Sequence, residues 1–150
     1  MHSFICNRVH VVFCTKDRRR AIPPHLQNRL WGYFGALGTA KEITVLEVNG
    51  VDDHVHLLIG LPAKLSVAEA VSKLKSNSSR WLSEQLRGEF GWQRGYGAFS
   101  VSQSQVPVVR RYIQNQVEHH RKFDFTQEFA ALLSKHGIRF ESGALAGSSE

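Results

Sequence analysis

The run Asp53-His54-Val55-His56-Leu57-Leu58-Ile59 sets two histidines one residue apart inside an otherwise apolar stretch, and that alternation reads as a β-strand. Side chains two positions apart share a face of a strand. His54 and His56 therefore project together while Val55, Leu57 and Ile59 turn the other way. Two neutral imidazoles so placed can ligate one divalent ion, and a third ligand from elsewhere leaves positions open for a substrate oxygen. A pair of partly exposed surface histidines is the competing reading of an isolated His-x-His, so the rest of the chain has to decide.

The remaining elements follow from periodicity. Residues Arg8 to Thr15 alternate Val9, Val11 and Phe13 against His10, Val12 and Cys14, and end in the basic cluster Lys16, Arg18, Arg19 and Arg20 before Pro23-Pro24. Leu26, Leu30, Tyr33, Phe34 and Leu37 carry helical spacing, with Gly38 as its stop. A strand over Ile43 to Val48 leads through Asn49-Gly50, a tight-turn pair, into the histidine strand. Ser66 and Glu69 form a capping box for a helix with Val67, Val71, Leu74 and Leu82 on its inner face. A glycine-rich loop precedes a strand over Ala98 to Ser102, a helix over Val106 to Arg121, and a last helix over Thr126 to His136 closed by Gly137. Strand, helix, strand, strand, helix, strand is the order of the ferredoxin-like split unit: an α+β fold with a four-stranded antiparallel sheet and two helices on one face. The two C-terminal helices must then dock on the other face, or on a partner's sheet.

A chain of 150 residues, 42% of them hydrophobic, suits one domain, placed at 1–141, with the Gly-, Ala- and Ser-rich 142–150 as a disordered tail. Nineteen Lys and Arg against thirteen Asp and Glu give a net charge of +6, which favours a polyanionic partner, nucleic acid first. Cys6 and Cys14 fit neither a zinc-finger pair nor a disulfide framework and read as free thiols. No run approaches a membrane span and no signal architecture opens the chain, so the expected location is the cytoplasm.

In the helix after the fourth strand, Val109, Ile113 and Val117 recur as the buried stripe, and Tyr112 and Gln116 form a row beside it, one turn apart. A tyrosine beside a cation can act as a nucleophile, because the cation favours phenolate and polarises the electrophile. Gln116 can offer its amide oxygen to the same ion. Asp53-His54-Val55-His56-Leu57-Leu58 followed by Arg110-Arg111-Tyr112-Ile113-Gln114-Asn115-Gln116 resembles the single-tyrosine transposases of the HUH endonuclease superfamily, more narrowly the small transposases of the insertion-sequence two-hundred group. The opening His10-Val11-Val12-Phe13, the Lys75 to Trp81 segment and Gly95-Tyr96-Gly97-Ala98-Phe99 agree, so the resemblance spans about Arg8 to Phe140.

The resemblance implies a metal-dependent strand transferase for single-stranded DNA with hairpins at the element ends. His54, His56 and Gln116 would ligate Mg2+ or Mn2+, and Tyr112 would form a 5′-phosphotyrosine link. It also implies a homodimer in which the tyrosine helix of one subunit completes the histidine site of the other, and the polar connector Ser102-Gln103-Ser104-Gln105 could hinge. Lys16, Arg18, Arg19, Arg20, Lys73, Lys75 and Arg80 are the basic residues placed against DNA phosphates. His10 reads as packing or as support for a ligand, His119 and His120 as exposed, and Asp53 as a turn residue ahead of a hydrogen-bond partner for the histidines. Two other classes stay open: a nonenzymatic nucleic-acid-binding module on the same sheet topology, and a nickase for replication or plasmid transfer.

Overall fold

A computed structural model describes residues 1–141; the expected disordered tail lies outside the described residues. Four strands, β1 (Arg8–Cys14), β2 (Thr44–Gly50), β3 (His54–Gly60) and β4 (Gly97–Val101), form one antiparallel sheet in the order β2-β3-β1-β4. Helices α1 (Pro24–Ala40) and α2 (Val67–Leu86) complete the expected split unit. Among the described residues no helix is long and apolar enough to cross a membrane.

The alternation in β1 and β3 sorts their side chains between two faces. Val9, Val11, Phe13, Val55, Leu57 and Ile59 pack with Leu30, Phe34, Val71, Leu74 and Leu82 of the two helices into the main core. Ser66 caps α2, its hydroxyl oxygen accepting from the Glu69 amide, but the Glu69 carboxylate accepts from the Ser66 hydroxyl instead of its backbone N–H, so the expected capping box forms in one direction only. Gly38 does not stop α1, which runs on to Ala40. Its role is close approach: a Cβ there would stand 2.5 Å from the Ile43 carbonyl oxygen and 2.7 Å from Val45 Cγ2, so a bare backbone lets β2 lie against the helix.

The opposite face takes the C-terminal segment. The expected continuous helix over Val106 to Arg121 is broken at Asn115 (φ −93°, ψ 20°) into α3 (Val106–Gln114) and the single turn α4 (Gln116–His119). The break turns the second piece so that Gln116 is fully buried on the sheet while Val117, expected in the stripe, is 52% exposed. Val106 and Ile113 pack on Leu58. Glu47 binds both Arg110 and Gln114, and Asn49 Nδ2 donates to the Gln114 carbonyl, so α3 is docked on its own chain's β2. Helix α5 (Phe125–Lys135) starts with a reciprocal capping box between Asp124 and Gln127, and ends before Gly137, which has the positive φ of 70° expected of a helix-closing glycine. It lays Phe125, Leu132 and Leu133 against Val12 and Phe99.

Candidate metal and nucleophile site

Strand pairing brings three histidines onto one sheet face. β1 and β3 are neighbours, with Val12 opposite His56 and Cys14 opposite His54. His54, His56 and His10 are all buried. Each ligand candidate is held through its other ring nitrogen. Asp53 accepts from His54 Nδ1 at 2.7 Å, and His10 Nε2 lies 2.9 Å from His56 Nδ1. Such partners fix the ring and leave Nε2 facing the site. Asp53 thus supports a histidine as well as ending the β2–β3 connection.

The broken helix supplies the next two groups. Gln116 Oε1 lies 3.1 Å from His54 Nε2, and the Tyr112 ring stands 5.7 Å from that of His56 at an edge-to-face angle. The geometry therefore assembles His54, His56, Gln116 and Tyr112 within one chain.

Two further residues complete the cluster, and neither was expected there. Glu128 of α5 is 3% exposed and sits at its centre. Its Oε1 accepts from His56 Nε2 and His120 Nε2, each at 2.9 Å, and stands 3.3 Å from His54 Nε2. Its Oε2 accepts from Gln116 Nε2 at 3.0 Å and from the Tyr112 hydroxyl. The His120 side chain is 10% exposed, contrary to the surface position expected for it, because the turn after α4 folds it against the His54 ring. His119 is more open; its Nε2 lies 3.3 Å from Glu128 Oε2 without hydrogen-bond geometry. Glu128 carried a sequence signal: with Phe125 and Leu132 it occupies the i, i+3, i+7 positions of a buried helix stripe, where a charge is out of place.

Charge and burial set the protonation pattern. Burial would lower His54, but Asp53 and Glu128 outweigh it and raise the imidazole to about 9. In His56 burial wins and holds it down at about 4. Neutral His56 that donates from Nε2 must accept at Nδ1, so His10 is the donor to it. Tyr112 is pushed well above the usual phenol range, by burial first and then by the Glu128 charge.

The donor set fits a divalent cation. Ligand atoms of His54, His56, His120 and Glu128 all lie within 4.8 Å of one another, and Gln116 adds a carbonyl-type oxygen. Imidazole with amide and carboxylate oxygens is a mixed donor set that divalent ions of either borderline or hard character can use. Beside the cluster a cavity of about 830 Å³ is lined by Tyr112, Glu128, His119, Val109 and Leu132.

Of the basic residues singled out in the sequence, Lys16, Arg19 and Arg20 are exposed just beyond β1, and Arg18 bonds Thr126 of α5. Lys73 and Arg80 lie on α2, across the sheet from the cluster, while Lys75 donates to the carbonyls of Gln93 and Gly95 and so ties down the glycine-rich loop.

Comparison with known proteins places the fold and the family. The described architecture is similar to that of a solved protein from Deinococcus radiodurans R1 (TM-score 0.63, 21% identity, covering 77% of this chain and 95% of that one). It is also similar to a REP-associated tyrosine transposase bound to a REP hairpin (TM-score 0.60, 11% identity, 80% and 72%). In sequence, the chain is 30% identical over 118 residues to the transposase for insertion sequence element IS200 of Salmonella typhimurium, covering 74% of this chain and 77% of that one. It is 25% identical over 114 residues to the ISDra2 transposase TnpA of Deinococcus radiodurans, covering 71% and 81%. The model of the IS200-like transposases matches residues 5–116, from before β1 to the buried glutamine, and the chain belongs to that family.

Proposed function

We propose that this transposase cuts and rejoins single-stranded DNA at hairpin-marked element ends, with Tyr112 as nucleophile and His54, His56 and Gln116 as metal ligands. The observation that carries the reading is the convergence of the Tyr112 hydroxyl, the His54 and His56 Nε2 atoms and Gln116 on one buried carboxylate. The structural likeness to a tyrosine transposase bound to a hairpin supports a DNA hairpin as the partner.

In the transfer, Tyr112 Oη bonds to the scissile phosphorus as the bond to the 3′-oxygen breaks. The phenol gives up its proton and the departing 3′-oxygen takes one up. Attack by a different 3′-hydroxyl on the phosphotyrosine reverses the step and joins new strands, so no nucleotide is hydrolysed. A divalent ion at the imidazole cluster, Mg2+ or Mn2+, would supply the positive charge that favours phenolate and polarises the phosphate. The chain's own residues prepare for this. Asp53 and His10 orient the two imidazoles, Gln116 bridges His54 and Glu128, and the cavity beside Tyr112 gives the strand room to reach the hydroxyl. Lys16, Arg18, Arg19 and Arg20, just beyond β1, would meet the hairpin phosphates, while Lys73, Lys75 and Arg80 of α2, on the other face of the sheet, would add only to the overall positive field.

The test is incubation with labelled single-stranded hairpin oligonucleotides and Mn2+, read as a protein–DNA adduct on a denaturing gel. The adduct is expected from the native chain and absent from Tyr112→Phe and from His54→Ala. Hairpin binding with no adduct from the native chain on its own element ends would favour the binding-module reading. A homodimer that exchanges α3 through the Ser102–Gln105 connector would build the same site from two chains. In that case mixing Tyr112→Phe with His56→Ala restores adduct, and a silent mixture means that each chain uses its own Tyr112.

A further inference from the structure

Glu128 poses an electrostatic problem that the family assignment leaves untouched, since the family match ends at Gln116, before α5 begins. It is a carboxylate buried against the sheet, and the partners it is seen to bind are His54, His56, His120, Tyr112 and Gln116, with His119 close by and no lysine or arginine among them. Before any ion enters, its charge is met only by these hydrogen bonds and by the His54 imidazolium described above, which Asp53 shares, and a carboxylate withdrawn from water is stabilised further by a full cation. The groups gathered around it are the ones argued above to hold a divalent ion.

We infer that Glu128 is the anionic ligand of that ion, so that α5 is part of the metal centre and ion binding and α5 docking form one linked equilibrium. The inference rests on the metal-site reading proposed above and extends it to a helix beyond the family-matched segment.

Geometry supports it. Neighbouring ligand atoms of an octahedral ion with bonds of about 2.1 Å stand roughly 3 Å apart. Glu128 Oε1 lies 2.9 Å from His56 Nε2 and from His120 Nε2 and 3.3 Å from His54 Nε2. Small adjustments would turn this fan of hydrogen bonds into a shared coordination sphere: His54 would release its Nε2 proton, and neutral His56 would carry its single proton on Nδ1 instead of Nε2, with His10 turning from donor to acceptor there. The apolar anchorage of α5 is modest: Phe125, Phe129, Leu132 and Leu133 against Val12, Phe99 and Cys14. A helix held by so small a patch gains much of its fixation from a ligand bond. Linkage makes the gain reciprocal, so whatever undocks α5 also weakens the ion.

The test uses Mn2+ alone, measured by calorimetry or by the electron paramagnetic resonance of free ion, together with amide hydrogen exchange over 125–135. Mn2+ is expected to slow exchange across α5 in the native chain. Glu128→Gln should weaken Mn2+ roughly tenfold or more, because a charged ligand is lost, and should abolish that protection, while Glu128→Asp recovers part of both. Leu133→Asp touches no donor atom but undocks α5, and should weaken Mn2+ by a similar factor. Glu128→Gln binding Mn2+ as tightly as the native chain, or tighter, would overturn the inference, since the carboxylate would then merely fill the ion's place. If the variants fail to fold by circular dichroism, α5 exchange in the native chain decides, and exchange indifferent to Mn2+ overturns it. His54→Ala separates the two levels: loss of Mn2+ there with full retention in Glu128→Gln defeats this inference alone, and retention in both defeats the metal-site reading.

Discussion

Where α1 and α2 cover the sheet, the interior is one apolar cluster running from Val9 through Phe34 and Leu57 to Leu82. Where α3 and α5 cover it, apolar packing is divided into two small patches, Leu58 with Val106 and Ile113, and Val12 with Phe99, Phe125, Leu132 and Leu133. Between the patches lies a polar row of His10, His54, His56, Gln116 and Glu128, all buried. Burying polar groups stabilises only when each finds a partner, and their net contribution is small even then. The difference between the faces is therefore a division of labour. One face supplies the cohesion that lets the other keep a cluster of polar groups dry and oriented.

The sharpest way to break the comparison is a pair of substitutions, one on each face. Tyr112→Phe removes one hydroxyl from the polar face and is expected to eliminate the covalent DNA adduct while lowering stability by no more than about 1.5–3 kcal/mol, the worth of one hydrogen bond to a charged group. Leu74→Ala hollows the apolar face and should lower stability by about 2–5 kcal/mol, leaving adduct formation per folded molecule close to native. Denaturant unfolding alongside the gel assay reads both. A Tyr112→Phe protein as unstable as Leu74→Ala would mean that the tyrosine is structural.

A smaller effect probes the support of the ligands. Asp53→Asn keeps an acceptor for His54 Nδ1 but removes the charge, and should weaken Mn2+ about 10- to 100-fold, as loss of a ligand's hydrogen-bonded support typically does. Gly50→Ala works on the same strand end from the backbone. A Cβ there would lie 2.2 Å from the His54 carbonyl oxygen and 3.0 Å from Val55 Cα, so the β2–β3 connection has to shift. The expected cost is about 1–3 kcal/mol of stability, accompanied by weaker Mn2+ binding; a native melting temperature with native Mn2+ affinity would show that the connection yields freely.

The two faces were also unequally legible from sequence, for a physical reason. Periodicity reports burial, so the apolar face and the element order could be read directly from Val9, Val11, Phe13 and the helical spacing of Leu26 to Leu37. His54 and His56 were readable because two polar residues interrupt a strand at its own period. Gln116 was picked as a neighbour of the buried stripe, yet it displaced Val117 from that stripe, because the break at Asn115 has no apolar signature. Glu128 stands in the apolar stripe of Phe125 and Leu132, a signal that marks it as buried but not what it binds, because the histidines of β3 that it meets are more than seventy residues away. His120 carries no such signal: its burial follows from the turn after α4, which no periodicity reports.

Cys14 offers the mildest test, because it lies at the edge of the polar face and takes no part in the proposed chemistry. It packs beside the Val12 and Phe99 patch, and its thiol is pushed up to about 11 by burial first and by the Asp53 charge second. The neutral thiol is the form the fold favours. Its stabilising contribution is therefore complete below the unfolded-state value of 9.0, and is lost as pH rises from there through about 11. Alkylation reads the same shift, since the thiolate is the reactive form. At pH 8 Cys14 should label far more slowly than exposed Cys6, and its rate should keep climbing, about tenfold per pH unit, until near pH 11. A plateau near pH 9 would mean that α5 opens often enough to give Cys14 the titration of a thiol in water. It would also make the apolar anchorage of α5 weaker than the contacts of Phe125 and Leu133 indicate.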